Sequence, residues 1–189
     1  MIMRNFLDDE GGTASIEFVF IIPIILTIFM ASFEASLFMA RNAMLERSVD
    51  IVVRDLRLGS LEWLDDGVGG VNGANLLKEE ICSGGMIVTS VETCVESMTI
   101  WMQPVNTATF DMPDTPVVCV DRTEEFDPLL EPSGTEFAMG ADNDIMLMRI
   151  CLKEEPLFPT TLVGAGMIRD EVDGNYALMT TTVFVNEPG

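Results

Sequence analysis

The feature that most constrains this chain is an uninterrupted apolar run near its N-terminus. Residues 18–33, FVFIIPIILTIFMASF, contain no charged side chain, and apolar residues resume after Glu34. A helix of these sixteen residues rises about 24 Å, slightly less than the roughly 30 Å hydrocarbon core of a bilayer. The run therefore predicts a single membrane-spanning helix, with Glu17 and Glu34 near the two interfaces.

Two other interpretations of this run are a cleaved secretory signal and a buried helix of a soluble domain. A secretory signal begins with basic residues and ends at a small-residue cleavage site. Here Asp8, Asp9 and Glu10 precede the run, and no A-x-A pattern lies between Thr27 and Ala40. Buried core helices usually have shorter apolar runs. The sequence thus favours a permanent anchor.

The helix is expected to continue past the membrane, from about Ser15 to Leu58, and to stop at Gly59. Apolar residues at spacings of 4, 3 and 4 form one stripe along it: Leu45, Val49, Val52 and Leu56. Charged residues fall on another face: Arg47, Asp50, Arg54 and Arg57. The stripe either packs on the distal part of the same chain or docks against helices of other subunits.

The remaining residues, 60–189, are expected to form a small domain. A short helix is predicted from about Asn75 to Ile81, and β-branched and apolar runs predict strands. These runs are Ser97–Val105, Pro116–Val120, Ile145–Leu152 and Tyr176–Val185. Phe126–Asp142 and Pro156–Gly166 are rich in turn-forming residues and predict loops or sheet edges. The predicted fold class is α+β, with a long N-terminal membrane-spanning helix followed by a small antiparallel-sheet domain with disulfides.

Composition excludes several classes of function. The chain has 31 acidic and 10 basic residues, a net charge of −21, so nucleic acid is excluded as a partner. Residues 60–189 hold 23 of the acidic residues and 5 of the basic ones, a charge of −18. No histidine is present, which excludes Ser/His and Cys/His catalysis and HExxH zinc sites. No nucleophile and base constellation is evident, so no catalytic residue and no small-molecule substrate are predicted.

The four cysteines are Cys82, Cys94, Cys119 and Cys151. They form no C-x-x-C motif, and their separations of 12, 25 and 32 match no usual zinc module. Four cysteines allow three pairings. We favour Cys82 with Cys94, which closes a local loop from the helix end to the start of a hairpin. Cys119 with Cys151 then links two predicted strands.

Two acidic clusters offer oxygen atoms of the kind that bind calcium. Oxygen ligands are available at Asp142, Asn143 and Asp144, and again in the stretch that contains Asp170, Glu171, Asp173 and Gly174. Neither cluster follows the spacing of a 12-residue calcium loop. Asp173-Gly174 is more simply a turn, and the scattered methionines are typical of core filler. No metal and no other cofactor is predicted.

The segment GTASIEF, from Gly12 to Phe18, followed by an apolar run, resembles the N-terminus of type IV pilin-like proteins, and most closely the tight-adherence (Flp-type) branch. Further segments are similar to TadE-like pilus assembly proteins: MLERSVDIVVRDLRLG, EIC, WMQPV, VVCVDR, RIC, PLFPTT and YALMTTTVFVNEP. The resemblance implies a prepilin peptidase that cuts after Gly12, exposing a Thr13 amine and leaving Glu17 and Phe18 as the fifth and sixth residues. The acidic residues before Gly12 depart from the usual basic leader.

The resemblance implies a non-enzymatic, pseudopilin-like component of tight-adherence pilus assembly. Its partners would be the inner membrane, other pilin-like subunits and the assembly machinery. Residues 1–12 would be a short cytoplasmic leader, 13–59 the transmembrane helix with its amphipathic continuation, and 60–189 a periplasmic domain. Four cysteines suit an oxidising compartment, although the arginines flanking the span favour the opposite orientation. The alternative function is a membrane-tethered extracytoplasmic binding or sensing module linked to calcium.

The two glutamates at the ends of the run have open interpretations. An ionised carboxylate at a membrane edge is costly unless it is paired, and the Thr13 amine of a neighbouring subunit would suit Glu17. Otherwise Glu17 only marks the start of the helix, where the helix dipole stabilises it. Glu34 is expected to be solvated at the opposite interface rather than to face a partner helix.

Overall fold

The computed structural model describes residues 11–58, 61, 70–84, 90–109, 119–120, 136–167, 169–170 and 172–187. Their elements in chain order are α1 (Gly11–Arg57), α2 (Gly70–Ser83), α3 (Val91–Ser97), β1 (Met98–Pro104), β2 (Glu136–Phe137), β3 (Ile145–Glu154), α4 (Leu162–Gly166) and β4 (Tyr176–Val185). The chain divides into two compact units. The first is Met1–Leu37 with Pro156–Met167, and the second is Phe38–Glu155 with Ile168–Gly189.

The first unit contains the N-terminal part of α1 and the loop that carries α4. Helix α1 begins at Gly11, runs through Pro23 and ends at Arg57, so its described bounds are close to the predicted ones. Helix α4 is one short turn whose N-cap is Thr161. The Thr161 hydroxyl accepts the Gly164 amide at 3.1 Å and donates to the Phe158 carbonyl at 2.9 Å. The predicted loop over Pro156–Gly166 therefore contains a small helix.

The second unit is built on a four-stranded sheet with strand order β2-β1-β3-β4. Strands β1, β3 and β4 are antiparallel, and their register pairs Trp101 with Arg149 and Arg149 with Thr181. Strand β2 is a two-residue edge strand that pairs parallel to β1. The antiparallel sheet and the long apolar helix confirm the predicted fold class.

One face of this sheet forms the main core. Residues at alternate positions of the three long strands are buried there: Met98, Ile100, Met102, Met146, Met148, Ile150, Leu152, Tyr176, Leu178 and Phe184. The stripe Leu45, Val49, Val52 and Leu56 is also buried, at 0–3% exposure, so it packs within its own chain. The charged residues Arg47, Asp50, Arg54 and Arg57 are exposed, as predicted. Burial of the apolar stripe stabilises the packing of this part of α1, while the charged face remains in solvent.

Most predicted strands agree with the structure, and one does not. Strand β4 has the predicted bounds, and β1 and β3 differ from theirs by one or two residues. The described end of the predicted strand Pro116–Val120, residues 119 and 120, is not in a strand, and residues 116–118 lie outside the described residues. Helix α3 was not predicted. Its N-cap Ser90 accepts the Thr93 amide at 3.1 Å, which starts a helix too short to show a helical period.

The two disulfides have the favoured pairing. Cys82 is joined to Cys94 with a Cα–Cα distance of 6.0 Å, and Cys119 to Cys151 with 5.8 Å. The expected locations were partly wrong. Cys94 lies in α3 rather than at the start of a hairpin, so the first disulfide joins two helices. Cys119 lies outside any strand and packs with Cys151 and Trp101 on the second face of the sheet.

Candidate functional site

The N-terminal part of α1 exposes apolar side chains around its whole circumference. Exposed large residues are Ile16, Phe18, Val19, Phe20, Ile21, Ile24, Ile25, Leu26, Ile28 and Phe29, most of them more than half exposed. Among the described residues α1 is the one helix long and apolar enough to cross a membrane, and no part of its most apolar window is buried in the chain. Soluble proteins rarely expose so large a contiguous apolar surface. This segment is therefore a candidate membrane span.

The hydroxyl groups in this segment are satisfied by the helix itself. The Thr27 hydroxyl donates to the Pro23 carbonyl one turn earlier. Ser32 donates to the Ile28 carbonyl and Ser36 to the Ser32 carbonyl, both at 2.8 Å. Such bonds keep polar groups paired where no water is available. The segment thus suits a lipid environment in its polar as well as its apolar residues.

The predicted processing residues lie in the first turns of α1. Gly12 and Thr13 are helical. Glu17 and Phe18 are both exposed. No described residue pairs with the Glu17 carboxylate. The structure therefore brings no intramolecular partner to Glu17 within its described part.

Glu34 is fully buried, and its predicted solvation was wrong. One carboxylate oxygen accepts the Leu157 amide at 3.2 Å, and the other accepts the Phe158 amide at 2.8 Å. These two amide donors satisfy the side-chain oxygens of Glu34, which offsets the cost of removing them from water. The solvation prediction failed because these donors come from a loop more than 120 positions later in the chain.

An aromatic contact lies beside this carboxylate. The Phe33 and Phe158 rings are 6.2 Å apart with an interplanar angle of 72°, an edge-to-face arrangement. Such pairs stabilise beyond the area that they bury, by about 1 kcal/mol. Phe33 and Glu34 therefore both attach the loop around Phe158 to the end of the apolar run of α1.

The second unit has its own polar cluster around Arg41 of α1. One guanidinium nitrogen donates to the Tyr176 hydroxyl at 2.5 Å and to the Glu155 carbonyl at 3.3 Å. The other lies 3.4 Å from the Glu154 carboxylate. Burial raises the pKa of Glu154, and the nearby Arg41 charge partly opposes that rise. The cluster fixes α1 to the ends of β3 and β4.

Three carboxylates of the two acidic clusters accept backbone amides in turns: Asp144, Asp170 and Asp173. Asp144 accepts the Ala141 amide at 2.8 Å, and Asp173 accepts the Asn175 amide at the same distance. Asp170 accepts the Val172 amide and the Lys153 ammonium. Within the described ranges no group of three or more His, Cys, Asp or Glu side chains could hold a metal ion.

Sequence reasoning missed Glu34, Arg41 and Tyr176 as structurally important residues. For Glu34, the available signal was an uncharged stretch that follows Glu155 in an otherwise acidic domain: PLFPTTLVGAGMI. Such a stretch suggests a partner surface of the same apolar character. For Arg41 and Tyr176, the available signal was that Tyr176 is the single tyrosine of the chain. A buried tyrosine usually requires a hydrogen-bond partner.

The chain was then compared with known proteins. Residues 12–54 match the family model described as TadE-like protein, which confirms the resemblance over that segment. The matched residues lie entirely within α1 and contain both the candidate span and most of the amphipathic continuation. The comparison with curated proteins found no match. The comparison with solved structures found none either.

Proposed function

We propose that this protein, with its TadE-like helix, is a membrane-anchored, pseudopilin-like and non-enzymatic component of tight-adherence pilus assembly. The observation that carries the proposal is that the family match and the exposed apolar surface fall on the same helix. A helix exposed on all sides can be covered by lipid or by apolar helices of other subunits. The candidate span has the side chains for both.

Glu17 is proposed as the assembly residue of this helix. Its carboxylate is exposed and adjoins the exposed ring of Phe18 at the N-terminal end of the apolar surface. A carboxylate at the membrane edge gains most from a cationic partner. Cleavage after Gly12 would create such a partner, the Thr13 amine of a neighbouring subunit. The pair would form only when helices of two subunits lie side by side.

The proposed topology is single-pass in the bacterial inner membrane, with a cytoplasmic N-terminus. Residues 1–12 form the leader, 13–59 the anchor helix and 60–189 the periplasmic domain in this proposal. Two disulfides support an oxidising location for the distal part, because thiols remain reduced in the cytosol. The lack of histidine supports a structural rather than a catalytic role.

The proposal can be tested by co-expressing the full-length protein with a tight-adherence prepilin peptidase. Intact-mass measurement of the membrane-extracted protein should show loss of the leader through Gly12, while the variant Gly12→Leu keeps its leader. Processing elsewhere, or an unprocessed chain in both cases, would contradict the pseudopilin-like assignment.

Assembly is tested separately from processing. The Glu17→Gln variant should still be cleaved. About tenfold less pilin subunit should co-purify with it in detergent, since a buried charge pair contributes roughly 1.4 kcal/mol or more to binding. Phe20→Leu, an exchange of apolar residues on the same exposed helix, is the matched control. Equal recovery with Glu17→Gln and Phe20→Leu would show that the carboxylate has no role in assembly.

The alternative, a membrane-tethered calcium-linked sensing module, has less support. The carboxylates of Asp144, Asp170 and Asp173 are engaged by amides of their own turns. Asp170 also binds Lys153, which a cation would have to displace. A rise in melting temperature on adding calcium, reversed by a chelator, would favour this alternative.

A further inference from the structure

The loop formed by residues 156–167, here called the apolar loop, carries a feature that the proposed function does not use. From Pro156 to Ile168 the sequence contains no charged residue, in a chain whose net charge is −21. Leu157 is 54% exposed, and Ala165 is exposed as well. An uncharged segment with an exposed leucine suits an apolar partner better than water.

The apolar loop is attached to α1 where the apolar run ends. Both oxygens of Glu34 accept amides of the loop, and the Phe33 ring contacts the Phe158 ring. Phe33 is itself 47% exposed, so exposed apolar surface is present on both the helix and the loop. The loop therefore lies beside the C-terminal end of the candidate span.

Several backbone amides of the apolar loop form hydrogen bonds within the chain. Proline has no amide hydrogen, so the segment between Pro156 and Pro159 has two amide donors, and both donate to Glu34. The Thr161 amide donates to the Phe158 carbonyl at 3.2 Å, the Ala165 amide to the Thr161 carbonyl at 2.7 Å, and the Met167 amide to the Val163 carbonyl at 3.0 Å. These bonds satisfy several amide donors of the loop, which lowers the cost of placing this backbone where little water is present.

We propose that the apolar loop is a second membrane contact, which inserts Leu157 and its neighbours into the outer lipid interface beside the end of the span. The inference rests on the proposed anchoring of α1. Lipid is favoured as the occupant because the exposed surface of Leu157 and Phe33 continues the exposed surface of the span itself. The buried Glu34 carboxylate then links the two membrane contacts.

Depth-dependent fluorescence quenching tests this inference on the full-length protein. Leu157→Cys carries a bimane label in vesicles of phosphatidylethanolamine and phosphatidylglycerol, with the native disulfides left oxidised. Ile25→Cys, labelled in the same way, reports on the span, and Val172→Cys reports on a side chain that is 84% exposed. The quenchers are lipids with a doxyl group at carbon 5 or carbon 12, and aqueous iodide.

The Leu157 label should be quenched more by the shallow than by the deep doxyl lipid, and at least threefold less by iodide than the Val172 label. Equal iodide quenching at Leu157 and Val172, with lipid quenching at Ile25, would overturn the inference and leave the anchoring intact. Loss of lipid quenching at Ile25 would overturn both. Protection from iodide that appears only after adding pilin subunits would identify a protein partner and also overturn the inference.

A second variant tests the link through Glu34. In Glu34→Ala the loop amides lose their acceptor, so iodide quenching of the Leu157 label should rise toward that of the Val172 label. The Ile25 label should keep its lipid quenching, which shows that the variant is still inserted. Unchanged quenching of the Leu157 label in an inserted Glu34→Ala protein would contradict the proposed link.

Discussion

The Arg41 guanidinium donates a 2.5 Å hydrogen bond to the hydroxyl of Tyr176, the single tyrosine of the chain. The same tyrosine ring lies 5.4 Å from the Phe38 ring in an edge-to-face contact. Tyr176 is fully buried at the first position of β4. Tyr176 of the sheet is thus contacted by two side chains of α1, the charged Arg41 and the aromatic Phe38.

Tyr176→Phe should lower the free energy of unfolding by about 2 kcal/mol, because it removes a hydrogen bond to a charged donor and keeps the ring. The measurement is denaturant unfolding in detergent with the disulfides intact. Thr181→Val removes a hydroxyl from an exposed position of the same strand and should change stability by less than about 0.5 kcal/mol. Equal losses in both variants would show that the bond from Arg41 contributes nothing specific.

Glu154 should give the protein a distinctive pH dependence. Burial raises the pKa of Glu154 above its ordinary value of 4.5 in the folded state, with Arg41 partly opposing the rise. The folded state therefore holds the proton more tightly than the unfolded state. This contribution to stability is complete below the unfolded pKa and is lost as pH rises through the folded pKa.

The measurement for Glu154 is the melting temperature of the wild type and Glu154→Gln from about pH 4 to about pH 7. The variant does not titrate at this position, so the difference isolates one carboxyl group. The wild type should lose stability relative to Glu154→Gln as pH rises through this window. A relative gain would mean that the Arg41 charge outweighs the burial of Glu154.

Gly84 follows α2 at a point of close approach to α1. A Cβ atom at this position would overlap the Ser48 hydroxyl oxygen and would lie 3.2 Å from the Ile81 carbonyl oxygen. Gly84→Ala should therefore destabilise the protein by about 1–3 kcal/mol through overpacking. Thermal unfolding measures the loss, and Gly166→Ala, where a Cβ meets nothing within 4 Å, is the control.

The partner variant is Ser48→Ala, because the buried Ser48 hydroxyl has no hydrogen-bond partner among the described residues. Its removal should cost little by itself. Combined with Gly84→Ala it should restore at least half of the lost stability. Strict additivity of the two changes would rule out the proposed clash between these positions.

The two disulfides should differ in how much they contribute to the free energy of unfolding. Replacing both Cys82 and Cys94 with serine opens a loop of 12 positions, and replacing Cys119 and Cys151 opens one of 32. The loop-entropy relation gives losses of about 3 kcal/mol for the shorter loop and nearly 4 kcal/mol for the longer one. Denaturant unfolding without reductant compares the two double variants. A larger loss for the shorter loop would mean that packing around the cystine dominates over chain entropy.

The parts of this molecule that sequence could predict are those set by local periodicity. Alternation of apolar residues defined β4, and the spacing of Leu45 and Val49 defined the buried stripe of α1. Glu34 and Arg41 could not be placed in this way, because their partners lie more than 110 positions away in the chain. Helix α3 was missed because its seven residues are fewer than the window in which a helical period is recognisable.

The ladder between β3 and β4 ends at the pair Glu154 and Tyr176 and contains ten paired positions. The apolar loop lies in the connection that joins β3 to β4 beyond this pair. A change in the length of such a connection costs little free energy, because the entropy of loop closure depends only weakly on loop length. A change in the length of this loop would therefore leave the register between β3 and β4 intact.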